Sequence, residues 1–442
     1  VRDAGRLWLP GLAGLVVWVF RRPLFEGAVL YKRDIHLVWQ GQVETFVRAV
    51  ASGSWPVWDP GLAGGQPLLA DPSAQVAYPP TWLNLVLRPW TYYTLYGACH
   101  VLFGGAGLYL LARRWSLSRQ AAFVASALFL LSGPFLSLVD LWHHLGSAAW
   151  IPWVLLAADR ALAAPGARGV LLWGGAMAGQ ILAGSADMAA MTGLAAGLLV
   201  LARRVRWREP LGATNRALAL ACLASVTLAA LLTAVLWLPA LDVASRSARW
   251  GLPAAIRLYW SVHPLSLADT LIPVPWRELP LEPALSSAMF EDREPFLASL
   301  YLGAASLALA GAGLALSPAP VKRLLAACGV LALLVALGRN APFYDALSLL
   351  LPPLRILRYP VKAMPFVAMC WALLAGLGFD AWRGMTAESR RRFLAGAAWP
   401  VATLALGALA LVALARYGAA FWGPLLLADG PLPAVESLRR LG

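Results

Sequence analysis

Apolar runs close to the roughly 20 residues that cross a bilayer recur along the whole chain. Short basic turns and a few longer polar stretches separate them. About eleven such spans can be marked, near 7–27, 93–112, 120–138, 147–163, 169–186, 188–202, 217–240, 296–316, 324–338, 363–382 and 394–416. The fifth and sixth form a tight hairpin around Gly184, Ser185, Ala186 and Asp187. The pattern predicts an all-α polytopic membrane protein. A transmembrane barrel would instead show short segments of alternating polarity. One membrane domain is expected over 1–416, with a short external tail at 417–442.

The polar stretch from Asp34 to Tyr93 breaks the hydrocarbon pattern most sharply. Its first part repeats apolar residues at three- and four-residue spacing: Ile35, Trp39, Val43, Phe46, Val47 and Val50. Gln40, Gln42, Glu44 and Arg48 take the other side. The spacing predicts an amphipathic helix over 35–51, stopped by Gly53 and lying in the membrane interface beside the first span. The remainder is rich in Gly, Pro, Asp and Trp, too aromatic for a disordered segment and too long for a plain connector.

Charge fixes an expected orientation. The net charge of +14 would suit a nucleic-acid binder, but the basic residues sit at the ends of apolar spans in a chain that is 60% hydrophobic and only 13% charged. Positive-inside topology and anionic headgroups account for them, so no nucleic-acid partner is expected. With the N-terminus in the cytoplasm, Arg113, Arg114 and Arg119 fall inside, as do Arg203, Arg204, Arg206 and Arg208, Lys322 and Arg323, and Arg390, Arg391 and Arg392. The polar regions 31–92, 241–295 and 339–362 then face outward with most of the carboxylates. The 4 cysteines, Cys99, Cys222, Cys328 and Cys370, lie within apolar spans and read as small core residues. No Gly-rich nucleotide loop stands before a soluble helix, so an ATP-driven pump is not expected.

Several outward residues could carry chemistry. Asp34 stands where an N-cap would begin the 35–51 helix, and where a general base could reach a substrate at the membrane surface. Asp59 and Asp71 adjoin prolines in a Gly-rich loop with Gln66. They suit turns; they could also hydrogen-bond a polar ligand or, with Asp34, hold a divalent cation such as Mg or Mn. Trp55, Trp58 and Tyr78 could stack on a sugar ring or belong to an interfacial aromatic belt. His143 and His144 are secondary candidates; adjacent on a helix, they cannot both face one site. Arg355, Arg358 and Lys362 lie outside, against the positive-inside trend, and suit a phosphate or anionic lipid. Arg246, Arg249 and Arg257 could serve the same end less directly.

A first span, an external Asp, a short helix and a long loop together resemble the GT-C glycosyltransferases, which use polyprenyl-phosphate sugars. A closer resemblance is to the bacterial YfhO-like membrane proteins. It is carried by Arg33 and Asp34, the run Gly53 to Pro60, Gly64 to Asp71, and Tyr78, Pro79 and Pro80. Tyr259 to Ser261, Leu271 to Pro273, Arg358 to Lys362 and Ala375 to Asp380 extend it over most of the chain. The resemblance implies a transferase moving a sugar from a polyprenyl-phosphate donor to a cell-envelope glycan or lipid on the external face. Asp34 would be the base, and Arg355, Arg358 and Lys362 would hold the donor phosphate. Two positions depart from it: the family carries Asn where this chain has Asp59, and its members continue beyond an eleventh span. A lipid-linked glycan flippase, a glycan ligase or polymerase working through external arginines, and a non-catalytic scaffold remain as alternatives.

Overall fold

The computed structural model describes residues 7–32, 34–62, 64–204, 213–248, 252–274, 283–350, 357–395 and 406. Among them the chain is helical, with one isolated antiparallel bridge, Asp59 to Gln66, in place of any strand. It divides into two compact units: Val1–Leu131 with Phe135–Leu252, and Ser132–Pro134 with Pro253–Gly442.

The first unit begins with α1 (Trp8–Val19) and α2 (Arg21–Phe25). A π-helical turn, Ile35–Trp39, leads into α3 (Gln40–Ala51). Then come α4 (Pro89–Arg114) and α5 (Arg119–Leu130), followed by α6 (Gly133–Leu136), whose first two residues belong to the second unit. α7 (Trp142–Ala163), α8 (Ala167–Leu182), α9 (Ala186–Arg204), α10 (Ala213–Leu232) and α11 (Ala234–Ser245) complete it. The second unit holds α12 (Ala254–Arg257), α13 (Pro283–Phe290), α14 (Ala304–Leu316), α15 (Val321–Leu337), α16 (Phe343–Leu350) and α17 (Met364–Arg383).

Helices lie over the expected spans except the last, 394–416, which falls almost wholly outside the described residues. Among the described residues three are long and apolar enough to cross a bilayer, Pro89–Arg114, Val321–Asn340 and Pro360–Arg383, and up to 5 if two bent pairs each count as one span. The shortfall from about eleven has local causes. The expected span 120–138 bends by 52° after Leu130, where Gly133 and Pro134 interrupt the hydrogen-bond ladder. The expected span 217–240 bends by 76° at Thr233. The buried Thr233 hydroxyl bonds back to the Ala229 carbonyl (2.8 Å), a contact that competes with the ladder and bends helices. Trp237 Nε1 donates to the Ala230 carbonyl (2.8 Å), which the bend leaves open. Residues 296–303 are not helical; α14 starts only after Gly303, at φ +100.

The stripe predicted on the 35–51 segment exists, and protein covers it. Ile35, Trp39 and Val43 pack with Tyr78, Tyr92, Tyr93, Tyr96, Trp142 and Ala183. Phe46 packs with Leu68 and Val76, and burying a ring of that size contributes about 1.5–3 kcal/mol. The apolar face therefore clamps the long loop to α4 and α7. Leu37 stays exposed on the other side.

In the second unit α14 and α17 cross with their backbones in contact. A Cβ on Gly313 would strike the Leu374 carbonyl, and one on Gly378 would strike the Leu309 carbonyl. Ser306, on α14, accepts from Trp371 Nε1 (2.6 Å) on α17.

Candidate functional site

Asp34 heads the π-turn. Its backbone is already helical (φ −68, ψ −11), and its side chain makes no capping hydrogen bond. The carboxylate is half-buried and is not held by the helix that follows. π-turns within helices are found disproportionately at functional sites. Around Asp34 the local sequence places His36, whose ring stacks on Tyr31 at 4.2 Å, with Trp90 packed tilted against Tyr31 at 6.2 Å. Asp34 and Asp140 both lie within electrostatic reach of the Tyr93 hydroxyl, which donates to the Val139 carbonyl at 2.7 Å. Asp34 and Asp140, far apart along the chain, thus both act on one tyrosine of α4. Asp140 did not stand out in the sequence as a candidate, since it lies far along the chain and no spacing motif links it to Asp34.

The two histidines divide as adjacent helical residues must. They sit in the first turn of α7, where the expected span would have left them outside. His144 turns inward and pairs with Ser185 Oγ at 2.7 Å through Nδ1. His143 stays half-buried, its ring 5.0 Å from that of Trp142.

Asp59 and Asp71 fasten the loop. Asp59 is buried, and its Oδ1 accepts from the Thr45 hydroxyl (3.0 Å) and the Gly61 amide (2.9 Å). Gln66 exchanges backbone hydrogen bonds with Asp59 at 2.8 and 2.9 Å, closing a hairpin. Gly65 turns that hairpin at φ +110, and the Trp58 ring lies where a Cβ would stand. Asp71 caps the turn Pro72–Ala74 through the Ser73 amide (2.9 Å) and accepts from Gln42 Nε2 (2.8 Å). Both carboxylates thereby tie the loop to α3. Among the described residues no three His, Cys, Asp or Glu side chains converge as a metal cage.

These anchors carry a testable consequence. Asn at position 59 can still accept from Thr45 and Gly61, whereas Ala takes the acceptor away from the buried Thr45 hydroxyl and from the Gly61 amide at the surface. Asp59→Ala should cost about 1–3 kcal/mol and Asp59→Asn little, read as thermal unfolding in detergent. Equal loss in both variants would show that the charge, not the acceptor, holds the loop.

Below the loop runs a polar layer that hydropathy conceals. Gln75, in a left-handed conformation (φ +53), donates to Tyr96 Oη (2.9 Å) and the Ala183 carbonyl (2.5 Å). Tyr78 pairs with His100 Nε2 (2.8 Å) and accepts from Trp150 (3.1 Å). Burial pushes the Tyr78 phenol up to about 12, the Trp150 bond pulling slightly the other way, so it stays protonated. Gln180 bridges the Ser147 carbonyl (3.0 Å) and Thr192 (2.8 Å). Each polar atom named here has a protein partner, as buried polar groups require.

The cationic candidates lie in the second unit. Arg355 falls outside the described residues. Arg358 Cζ stands 4.9 Å from the Tyr359 ring centre, and Lys362 Nζ stands 4.8 Å from the same ring and 5.5 Å from that of Phe296. Lys362 is only 4% exposed. Trp260 completes an aromatic wall, 4.5 Å from Tyr359 and 5.4 Å from Phe296. Trp260 (φ +53) and Tyr359 (φ +67) both hold the left-handed backbone that bulky residues avoid, at about 1–3 kcal/mol each. Backbone hydrogen bonds from Tyr359 N to the Arg257 carbonyl (2.9 Å) and from Val361 N to the Trp260 carbonyl (3.3 Å) hold them there. Burial raises the Glu291 carboxyl above its ordinary range, and Arg339, paired with it at 2.9 Å, draws it partly back.

No protein-family model matches the chain, and no curated protein matches its sequence. Among solved structures it is similar to ArnT from Cupriavidus metallidurans bound to undecaprenyl phosphate. The identity is 16% and the TM-score 0.45, over 98% of this chain and 74% of that one. It is also similar to the Archaeoglobus fulgidus oligosaccharyltransferase in its apo form. Here the identity is 14% and the TM-score 0.39, over 99% of this chain and 56% of that one.

Proposed function

We propose that this chain is a GT-C-type membrane glycosyltransferase that moves a sugar from a polyprenyl-phosphate donor to a cell-envelope glycan or lipid on the external face. Asp34 takes the proton from the acceptor hydroxyl as that oxygen attacks the anomeric carbon. The bond from the anomeric carbon to the phosphate oxygen breaks, the configuration inverts, and the phosphate leaves with the electron pair. Arg358 and Lys362 hold the charge it carries. The Gly- and Trp-rich loop, with Gln66 and Trp58 at its hairpin, receives the acceptor. The observation that carries this reading is the Asp34 carboxylate, half-buried and not consumed in capping the helix it begins.

The flippase reading draws less support. Polar groups do occur inside the first unit, but they satisfy one another, as a packed layer does, rather than lining a path. A comparison of two variants separates the rest. In the transferase, Asp34→Asn and Arg358→Ala both cut sugar transfer severely. In a ligase or polymerase working through arginine, only Arg358→Ala does, and a scaffold complements a deletion strain with either change.

A further inference from the structure

The bend at Thr233 gives α11 a direction that a crossing helix does not take. α10 (Ala213–Leu232) has 20 residues, and at 1.5 Å per residue it covers about 30 Å, the thickness of a bilayer core. The chain has therefore crossed when it reaches Thr233. There it turns by 76° into α11 (Ala234–Ser245). The 12 residues of α11 advance about 18 Å along their own axis, but only about 4 Å along that of α10. α11 thus runs along the surface that α10 has reached.

Its surroundings agree with that course. Of its residues only Leu236 is buried. Val235, Leu238, Leu241 and Val243 are 40–54% exposed, so the rest of the chain leaves an apolar helix largely uncovered. Its charges come late: Asp242 lies in the last turn and pairs at 2.8 Å with Arg246, just past the end, both well exposed. α11 also passes beside Pro72–Ala74, the turn of the polar loop that Asp71 caps. Irregular chain bearing carboxylates does not belong at hydrocarbon depth facing lipid. A helix that follows a span directly, beside such a loop, lies where acyl chains meet headgroups. The bilayer itself is the partner that this position supplies.

We infer that α11 is a membrane-surface helix. Its exposed leucines and valines sit in the boundary between acyl chains and headgroups, and Asp242 and Arg246 stand at headgroup level. The expected span 217–240 is then a crossing helix followed by a helix in the membrane plane. Through the turn Pro72–Ala74, α11 holds the polar loop at the bilayer surface. None of this depends on the enzyme reading.

Spin-label depths test it. In the full chain, Cys99, Cys222, Cys328 and Cys370 are changed to Ala, and a single Cys is placed at 224, 231, 238 or 245. Each protein is reconstituted in vesicles of phosphatidylethanolamine and phosphatidylglycerol. Collision rates with oxygen and with a water-soluble nickel complex then give the depth of each label. Ala224 and Leu231 are exposed on α10, and Leu238 and Ser245 are exposed on α11. Each pair is seven residues apart and so shares one side of its helix. The α10 pair should differ in depth by about 10 Å, as a crossing helix requires, and the α11 pair by only about 3 Å. The label at 238 should collide with oxygen and lie just beneath the headgroups. A difference of about 10 Å in the α11 pair would overturn the inference, because α11 would then continue the crossing. So would a label at 238 that the nickel complex reaches freely, which places it in water, or one that neither reagent reaches, which places it against protein. If the cysteine-free chain does not fold, photoreactive benzoylphenylalanine at 238 in the otherwise unchanged chain decides. A lipid adduct sustains the inference; no lipid adduct at 238, where the same group at 231 gives one, overturns it.

Discussion

Asp34→Asn should lower the turnover number for sugar transfer by about 10²–10⁴-fold, the usual contribution of a positioned general base. The Michaelis constants should change little, because the amide keeps the size and polarity of the carboxylate and loses only its capacity to accept a proton. The melting temperature should not move either. Asp34 makes no side-chain bond to the helix it begins, so no cap is lost. An N-cap role would give the opposite pattern: stability falling by about 0.5–2 kcal/mol with transfer intact. The two roles open in the sequence are therefore separated by measuring turnover and unfolding on the same preparation.

Gly378→Ala should disrupt the second unit although it adds a single methyl group. That methyl would meet the Leu309 carbonyl, and the reciprocal position, Gly313, faces the Leu374 carbonyl. Both obstacles are main-chain atoms in helices and cannot rotate aside, so α14 and α17 must move apart. Overpacking of this kind costs about 1–3 kcal/mol where side chains can yield, and here the cost should reach the top of that range or pass it. In a bilayer, close approach at small residues is itself a main source of helix association. Gly311→Ala is the control, since nothing lies within 4 Å of its Cβ position. Thermal unfolding and monodisperse yield in detergent should fall for Gly378→Ala and stay at wild-type levels for Gly311→Ala. Equal behaviour of the two would mean that α14 and α17 do not cross as described.

Much of the architecture was legible because it is written in runs of like residues. The 3.6-residue stripe on 35–51 marked a helix, and Gly184 marked the hairpin between α8 and α9, where it stands at φ +97 against the Pro72 carbonyl. The bends were not legible. Thr233 reads as one mildly polar residue in an apolar run, and its effect comes from a hydroxyl bonded back to Ala229. Nor could the stripe say what would cover it. Tyr92, Tyr93 and Tyr96 on α4 do so, although periodicity alone suggested the membrane surface.

The site was legible in its residue types and less so in their partners. Asp59 and Asp71 stood out as carboxylates beside prolines, but their bonds to Thr45 and Gln42 join segments that no local pattern connects. Gln75, Gln180 and Thr192 are too sparse among apolar neighbours to register as a polar layer; only the fold brings their partners within hydrogen-bond distance.

Deprotonation of the acceptor by Asp34 can be tested on the reaction itself. The most direct measurement is transfer of radiolabelled hexose from polyprenyl phosphate to a wall-derived acceptor. It compares purified wild type, Asp34→Asn and Asp59→Asn, each with and without added Mg or Mn. Wild type and Asp59→Asn should transfer the sugar, and transfer should collapse in Asp34→Asn under every metal condition. Transfer by Asp34→Asn at the wild-type rate would contradict deprotonation by Asp34.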